Sequence, residues 1–410
     1  MNSCRFKMTR ELLFMSGRRS GSERRLRVFM SAKCKCGAWA CVGDLLCRQC
    51  QKTAATPIID QQTGASMSSA PTILPIALRP IIGANEAPRP KPIPPRAFEL
   101  ADPTEAFQLV RTSLGDSAHV QLPASEFNAN QQKPQGAVRF VCISDTHSYQ
   151  RKSLSYSTAF ESIPDGDVLL HSGDFTNVGA VAEVEAFAEW FGCFPHKRKI
   201  LIAGNHDLSL DRESYEQTMR ARGMGEISAA DATERCARAR AAIEAIPGCD
   251  YLADGGTTVE GIRVWGSPWQ PEFCNWAFNL PRGEPCRKKW RLIPDETDVL
   301  LTHGPPLGHG DACKGGHRAG CLDLLHEVQT RVRPSVHVFG HVHEGAGVSS
   351  DGATLYVNAS TCNFSYRPVN AALVVDVLPA DAAAGRPRAQ VVDVASCCGS
   401  QAAPRLFVPR

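Results

Sequence analysis

The stretch 199-KILIAGNHD-207 joins an apolar run to three consecutive polar side chains. A short apolar run that ends at a glycine is typical of a buried strand leading into a tight loop. In this loop Asn205, His206 and Asp207 offer an amide oxygen, an imidazole and a carboxylate. Any polar turn can contain these residue types, so the interpretation depends on whether the arrangement recurs.

The arrangement recurs at four further places, where an apolar run ends in side chains that commonly bind metals. These runs are 138–144, 167–172, 298–302 and 336–339. The side chains that follow them are Asp145 with His147, Asp174, His303, and His341 with His343. Periodicity predicts further strands at 258–265, 354–358 and 371–377, and helices at 181–194, 231–246 and 321–332. Strands that alternate with helices predict an α/β layered domain, in which ligands gather at the carboxyl edge of the strands.

The side chains at these strand ends share a common chemistry. They provide oxygen and imidazole donors without thiolate, which suits a hydrolytic pair of divalent ions such as Mn, Fe or Zn. In extended backbone, residues two apart point to the same side. The pairs Asp145/His147 and His341/His343 are therefore each expected to direct two side chains into one pocket.

Five blocks of the sequence, in this order, resemble the calcineurin-like metallophosphoesterase superfamily: Asp-x-His, Gly-Asp, Gly-Asn-His-Asp, His-Gly-Pro-Pro and Gly-His-Val-His. The resemblance covers residues 137–380. Segments 266–273 and 333–344 are similar to the branch called metallophosphoesterase-domain-containing proteins, whose members act as phosphodiesterases. Some relatives in that branch have Gly at the position of His341, whereas this chain retains the full set of ligands. The resemblance implies a layered sandwich of two central sheets flanked by helices.

The resemblance also implies a role for each matching residue. One ion would be held by Asp145, His147 and His343, the other by Asn205, His303 and His341, with Asp174 bridging both. Two such ions can lower the pKa of a shared water and hold the phosphate oxygens during an in-line displacement.

Two residues of the Gly-Asn-His-Asp block are catalytic candidates that bind no metal. His206 would stabilise or protonate the leaving oxygen. Asp207 would orient His206, although a role in capping the loop fits its position almost equally well.

Several aromatic and basic residues have both a functional and a structural interpretation. The aromatic side chains could wall a substrate pocket and stack on a base, or pack in the core: Trp265, Trp269, Trp276, Phe273 and Phe278. His309 and Arg318 lie in a glycine-rich loop and could contact the substrate phosphate. His171, His326 and His337 are expected to be structural or exposed rather than ligands.

The composition narrows the class of protein. The chain has 410 residues, 43% of them hydrophobic and 21% charged, which is ordinary for a globular protein. A net charge of +3 gives no reason to expect an obligate nucleic-acid partner, and no apolar run is long enough for a membrane span. The expected partner is a small phosphoester substrate. The oligomeric state is not readable from the sequence.

The sequence before the predicted domain divides into three segments. Residues 1–33 form a basic leader that is either an organellar transit peptide, a disordered extension or an over-extended gene start. Residues 51–136 are rich in proline and are expected to be a mostly disordered linker, with one short helix at 98–114. After the domain at 137–380, residues 381–410 are expected to form a tail.

Between leader and linker, residues 34–50 are rich in cysteine. Cys34, Cys36, Cys47 and Cys50 could hold a structural zinc ion, with Cys41 as a spare ligand; unpaired thiols are the alternative. The other cysteines are scattered, which is typical of small buried side chains in a reducing compartment. We therefore expect a cytoplasmic protein, or an imported one if the leader is a transit peptide.

A metal-dependent phosphodiesterase acting on a small ester, with cyclic nucleotides among the candidates, is the expected function. The alternatives are a phosphomonoesterase or protein phosphatase, a DNA nuclease, and a non-catalytic scaffold on the same fold. Protein phosphatases typically have Arg where this chain has Ala203, a nuclease would be expected to carry a basic tract, and a scaffold would lose ligands.

Overall fold

The computed structural model describes residues 31–33, 39–41, 92–114, 120–122, 133–149, 163–380 and 387–392. The chain divides into two units, Met1–Ile76 and Ala77–Arg410. In the first unit, strands β1 (Ser31–Lys33) and β2 (Trp39–Cys41) form an antiparallel pair. Cys34, Cys36, Cys47 and Cys50 lie outside the described residues, so the zinc site remains a prediction.

The second unit contains a seven-stranded sheet and a six-stranded sheet. The strands of the seven-stranded sheet, called sheet one, are β3 (Val120–Leu122), β8 (Gly255–Val259), β9 (Ile262–Ser267), β12 (Val299–Thr302), β13 (Val336–Phe339), β14 (Gly347–Ser350) and β15 (Leu355–Asn358). Those of the six-stranded sheet, called sheet two, are β4 (Val138–Ile143), β5 (Val168–Ser172), β6 (Arg198–Ile202), β7 (Cys249–Tyr251), β16 (Leu373–Leu378) and β17 (Arg388–Val392). Sheet one has the order β3-β14-β15-β13-β12-β9-β8 and sheet two the order β17-β16-β4-β5-β6-β7. Strands β10 (Gln270–Pro271) and β11 (Asn279–Leu280) form a separate short pair.

The helices of this unit are α1 (Pro103–Leu114), α2 (Val181–Gly192), α3 (Tyr215–Ala221), α4 (Ala229–Glu244), α5 (Glu284–Trp290) and α6 (Leu322–Glu327). Among the described residues, no helix combines the length and the apolar character needed to cross a bilayer.

The two sheets pack face to face, and helices cover their outer faces. Alternate side chains of both sheets, such as Phe140 and Leu170 from sheet two with Leu301 and Val338 from sheet one, share one core. The outer side of sheet two packs against α2 and α4, and the outer side of sheet one against α5 and α6. This four-layer arrangement confirms the predicted sandwich of two central sheets flanked by helices.

Three element predictions need correction. The strand predicted at 258–265 is a hairpin of β8 and β9, because Glu260 and Gly261 adopt φ values of 48° and 83° and reverse the chain. The helix predicted at 321–332 is α6 followed by a wider π-helical turn, which ends at Arg333 in a left-handed conformation.

The third correction concerns residues 92–114, within the segment predicted as a linker with one helix at 98–114. They form a 3₁₀ helix, Pro95–Glu99, and then α1. Ala97, Phe107 and Val110 are buried in one cluster with Leu307 and Leu325. The proline content of 71–96 suggested extended backbone, but this apolar face packs on the domain instead.

Candidate metal centre

The predicted metal ligands lie in loops at the carboxyl ends of five strands, where the two sheets meet. The loops after β4, β5 and β6 belong to sheet two, and those after β12 and β13 to sheet one. Hydrogen bonds join the two sides: Thr361 N donates to Ser144 O at 2.8 Å, and His341 N donates to Asp145 Oδ1 at 3.0 Å. The site is therefore built at the seam between the sheets.

Asp145, His147 and His343 form the first of two predicted groups of ligands. Their nearest ligand atoms lie within 4.8 Å of one another, and all three side chains are buried. The Nε2 atoms of His147 and His343 are 3.2 Å apart, and His343 Nε2 is 3.3 Å from Asp145 Oδ1. Each imidazole places Nδ1 against a backbone carbonyl, that of Thr176 at 3.3 Å and that of Asn363 at 3.0 Å.

This arrangement fits a cation. Because a carbonyl oxygen only accepts, each Nδ1 carries the proton, and the two Nε2 lone pairs then face each other beside a carboxylate. Such a pair of acceptors is unfavourable unless a positive charge lies between them. Neutral imidazoles whose other nitrogen is fixed by a hydrogen bond are the usual form of histidine metal ligands.

Asp174, His303 and His341 form the second group, again with ligand atoms within 4.8 Å of one another. His303 donates from Nδ1 to Ser172 O at 2.8 Å, and its Nε2 lies 3.0 Å from Asn205 Oδ1. Nδ2 of Asn205 is buried and has no hydrogen-bond partner. The oxygen of Asn205 thus points toward the imidazole, while its Nδ2 lacks a hydrogen-bond partner. This orientation fits an oxygen ligand at a metal site.

Asp174 is the residue that the two groups share. Its Oδ2 lies 3.3 Å from His303 Nε2, 3.9 Å from His147 Nε2 and 4.0 Å from His206 Nε2. Its Oδ1 accepts a hydrogen bond from His206 N at 2.7 Å. One carboxylate oxygen therefore faces ligands of both groups, as a bridging ligand requires.

The electrostatics of the cleft favour positive charge. Burial alone would raise the pKa of Asp174, but His303 and His206 outweigh it and hold the pKa well below the usual value. Burial also opposes charge on His303, yet Asp174 raises its pKa to about 9. Burial lowers the pKa of His341 to about 3, so that imidazole is neutral. The carboxylates stay ionised in a buried cleft, a costly arrangement that cations would stabilise.

The backbone at these residues differs from the extended form expected from the sequence. Asp145, His147, Asp174 and His341 have φ values of 52°, 42°, 56° and 68°. The two pairs do reach one cleft, but through left-handed turns rather than through alternation along a strand. Such turns are unfavourable for residues other than glycine, and their concentration at one place is typical of a functional site.

Two glycines allow the loops to approach closely enough. A Cβ atom on Gly340 would lie 2.0 Å from Asp145 Oδ2, and one on Gly204 would lie 2.3 Å from Asp174 Oδ1. Neither space can hold a methyl group. The glycines of the Gly-His-Val-His and Gly-Asn-His-Asp blocks are therefore needed for ligand placement.

His206 lies at the edge of the cleft with its ring fixed on several sides. Its Nδ1 donates to Asn177 O at 2.6 Å, which leaves Nε2 directed toward Asp174. One face stacks on Trp276 with ring centres 3.9 Å apart, and an edge meets His147 at 4.7 Å. His206, His147 and Asp174 also form a third cluster with metal-binding spacing.

Asp207 does not orient His206, contrary to the catalytic role expected for it. Its carboxylate is fully buried behind the loops and accepts hydrogen bonds from four donors: Asp174 N, Gly204 N, Thr176 N and Thr176 Oγ1. The ring of His206 is held by Asn177 O instead. Asp207 thus fastens the loops after β5 and β6 together, which is the loop-capping alternative.

The aromatic residues divide into two sets. Trp265, Trp269 and Phe278 pack in the hydrophobic clusters. Trp276 lies at the cleft, but Arg222 Cζ is 3.0 Å from the centre of its ring, so with His206 both faces are covered. Phe273 is 46% exposed and meets the ring of His341 edge-on at 5.2 Å. Phe273, not Trp276, is therefore available to a substrate.

His309 and Arg318 were expected to contact the substrate phosphate, but both are engaged with structural partners instead. His309 is buried, stacks on Tyr356 at 3.6 Å and contacts Ser349 Oγ at 2.9 Å. Arg318 pairs with Asp311 at 2.6 Å and covers the ring of Phe107.

The remaining histidines behave as predicted. His171 is buried against Phe187 and bonded to Thr146 Oγ1, and burial lowers its pKa to about 3. His337 is bonded to Thr302 Oγ1. His326 lies on α6 against Phe98.

Sequence reasoning missed several contributors to the site. Ser360 Oγ donates to Asp145 Oδ2 at 2.8 Å, and Tyr366 packs against His147 and His343 at 4.7 and 5.0 Å. These residues follow the last motif in a loop without a recognisable pattern. Asn177 and Thr176 lie just after the Gly-Asp block, where their proximity to Asp174 was the only signal.

Comparison with known proteins identifies the group to which the fold and the site belong. Residues 138–345 match the sequence model of the calcineurin-like phosphoesterase family. The match covers all five loops that carry the predicted ligands.

The chain belongs to this family.

Sequence relatives agree with the assignment of this phosphoesterase. Metallophosphoesterase domain-containing protein 1 of Homo sapiens is 44% identical over 280 residues, which cover 68% of this chain and 82% of the relative. UPF0046 protein C25E10.12 of Caenorhabditis elegans is 41% identical over 246 residues, 58% of this chain and 81% of the relative. Among solved structures, a phosphopantetheinyl hydrolase from Mycobacterium tuberculosis aligns over 55% of this chain and 90% of its own, with 15% identity and a TM-score of 0.36. Family membership and the His/Asp cluster together support a metal-dependent phosphoesterase that binds divalent ions.

Proposed function

We propose that this phosphoesterase hydrolyses small phosphodiesters with two divalent ions, of which Mn, Fe and Zn all suit the donor set. The observation that carries the proposal is the position of Asp174 between two groups of ligands, with Oδ2 facing both. The ions would be held by Asp145, His147 and His343, and by Asn205, His303 and His341. When bound, two such ions supply an activated water and stabilise charge on the phosphoryl oxygens.

The protein's own contribution to the reaction is centred on His206. Its Nδ1 is committed to Asn177 O, so only Nε2 can exchange a proton with a substrate in the cleft. Trp276 and His147 fix the orientation of the ring. Because Nδ1 keeps its own proton, this role requires the imidazolium form of His206. Burial lowers the pKa of the ring, and Asp174 opposes that effect. In the proposed reaction Nε2 of the imidazolium donates its proton to the leaving oxygen as the bond between that oxygen and phosphorus breaks, which leaves His206 neutral.

The walls of the cleft favour a diester over a monoester. Phe273 presents an exposed ring beside His341, and Tyr366 packs over His147 and His343. Apolar surface thus lies next to ligands of both groups. A phosphate with an organic group on each side makes use of both surfaces, whereas a monoester uses one.

A cyclic nucleotide is the second candidate within this class. Its base needs an aromatic surface, and the exposed ring of Phe273 offers one next to the ligands. Replacing Phe273 by Ala is expected to raise KM for a cyclic nucleotide about tenfold, with little change in kcat. Replacing the packed Phe278 by Leu is the matched control.

The test of the proposed function compares bis(p-nitrophenyl) phosphate with p-nitrophenyl phosphate, each with Mn, Fe(II) or Zn. Metal-dependent turnover with higher kcat/KM for the diester is expected. Asp174→Asn is expected to abolish it, whereas Asp323→Asn, a buried carboxylate on α6, retains it. Preference for the monoester would indicate a phosphatase, and no metal-dependent turnover of either ester would indicate a scaffold.

A further inference from the structure

Arg222 is a half-buried cation at the mouth of the cleft. Its Cζ lies 3.0 Å from the centre of the Trp276 ring, and Nη1 donates to Cys274 O at 3.3 Å. Burial lowers the pKa of its guanidinium. Within the part of the chain that the structure describes, the ion pairs formed by arginines do not include Arg222, so most of its five donors are unused.

The position of Arg222 relates it to the catalytic candidate. Two groups that both lie within 4 Å of one ring centre must occupy opposite faces, so the indole of Trp276 separates the guanidinium from the imidazole of His206. The hydrogen bond from Arg222 holds it to a backbone segment that borders the cleft on two sides. In this segment Phe273 meets the ring of His341 edge-on, and Trp276 stacks on His206. Arg222 therefore lies at the edge of the cleft, on the face of Trp276 opposite His206.

Arg222 has donors that a ligand can use. Its stacking on Trp276 occupies the face of the guanidinium and leaves the N–H groups at its edge. Arg220, in the last turn of α3, pairs with Glu226 at 4.0 Å, whereas Arg222 forms no ion pair with a carboxylate in the described part of the chain. None of its nitrogens is buried without a partner, so the donors other than the one bonded to Cys274 O face solvent and can bind an anion.

Building on the proposed function, we infer that Arg222 binds a second anionic group of the substrate, a carboxylate or phosphate carried by the leaving group. The intervening indole places the guanidinium too far from Asp174 to contact the phosphoryl group under attack. It lies instead on the side of His206, where the leaving group departs in the proposed reaction. The preferred substrates are then phosphodiesters whose leaving alcohol carries a carboxylate or phosphate group of its own.

The test uses two substrates that differ in one charge, the methyl phosphodiesters of 3-hydroxybenzoate and of 3-hydroxybenzamide. The wild-type protein is expected to prefer the carboxylate in kcat/KM by about tenfold or more, since hydrogen bonds between charged groups are the stronger ones. Arg222→Gln is expected to remove the preference by lowering kcat/KM for the carboxylate alone. Arg220→Gln, the matched exposed arginine, is expected to leave it unchanged.

Other outcomes overturn the inference. If Arg222→Gln lowers kcat/KM equally for both substrates, the residue only supports Trp276 and His206. If the wild-type protein shows no preference, no anion is recognised there. Thermal unfolding of each variant confirms that it is folded.

A binding measurement keeps the inference separate from the proposed reaction. Tryptophan fluorescence, which includes Trp276 beside Arg222, is titrated with 3-hydroxybenzoate and with 3-hydroxybenzamide. The benzoate is expected to bind at least tenfold more tightly to the wild-type protein and to lose that advantage in Arg222→Gln. Failure of turnover with the fluorescence result intact contradicts the proposed function only, whereas equal binding of the two compounds contradicts the inference.

Discussion

The Nε2 atoms of His147 and His343 lie 3.2 Å apart, although the two residues follow strands of different sheets. Each ring is fixed from behind by a backbone carbonyl, of Thr176 for His147 and of Asn363 for His343. Correct packing of the sheets is thus required for these nitrogens to meet. A cation bound there would in turn hold the sheets in register at this edge.

Replacing His343 by Ala is expected to lower the bound metal and reduce activity at least a hundredfold, because the first group loses one of its three ligands. Metal content is measured by elemental analysis of the purified protein. His337→Asn is the matched control, since His337 is buried on β13 but bonded only to Thr302 Oγ1. It is expected to lower stability by about 1–2 kcal/mol and leave the metal content unchanged. Equal metal loss in both variants would contradict the assignment of His343.

Replacing His206 by Gln is expected to lower kcat by about 10²–10⁴-fold while metal content is retained, because a proton donor is lost. The loss is expected to be larger for an alkyl leaving group than for p-nitrophenolate, which departs without a proton. A uniform loss across leaving groups, together with loss of metal, would show that His206 is a ligand, as its spacing to His147 and Asp174 also permits.

Replacing Asp207 by Asn is expected to destabilise the fold by about 1–3 kcal/mol. The amide nitrogen that replaces one carboxylate oxygen cannot accept the two hydrogen bonds that this oxygen accepts in the wild-type protein. Chemical denaturation measures the change. Activity per folded molecule is expected to fall less than in His206→Gln. A loss of kcat with unchanged stability would restore the catalytic role first expected for this residue.

Replacing Gly340 by Ala is expected to displace Asp145, because the added Cβ would lie 2.0 Å from Oδ2 of that carboxylate. The variant should bind less metal and lose activity. Gly192→Ala is the matched control, because Gly192 is the last residue of α2 and a Cβ atom there would lie 3.5 Å from Pro247, an ordinary contact distance. Helix propensity predicts that the control is stable. Full activity in Gly340→Ala would contradict this expectation, because it would show that the loop can accommodate the added methyl group.

The sequence was sufficient to predict the layered α/β fold and the meeting of the seven candidate ligand side chains in one cleft, because the strands and the polar residues that follow them are recognisable from local sequence patterns. It was not sufficient for the conformation of the loops. Extended backbone was predicted at Asp145 and His341, but both residues adopt a left-handed conformation. Long-range contacts stabilise that conformation, such as the hydrogen bond from His341 N to Asp145 Oδ1.

Long-range contacts also explain why the roles of Asp207 and Arg222 were not predictable from the sequence. Asp207 has the sequence position of a catalytic residue, but four donors from two loops turn its carboxylate away from the cleft. Arg222 lies in no motif, and it is linked to His206 only through the ring of Trp276, which both residues contact. Neither pairing is encoded by spacing along the chain.

The position of β16 has a consequence for biosynthesis. This strand pairs with β4, yet it is made after every strand of sheet one. On the ribosome, one edge of β4 thus remains uncovered until residue 378 has emerged, and an uncovered edge invites pairing with other chains. In the interval between the synthesis of β4 and that of β16, a chaperone that covers this edge would prevent such pairing.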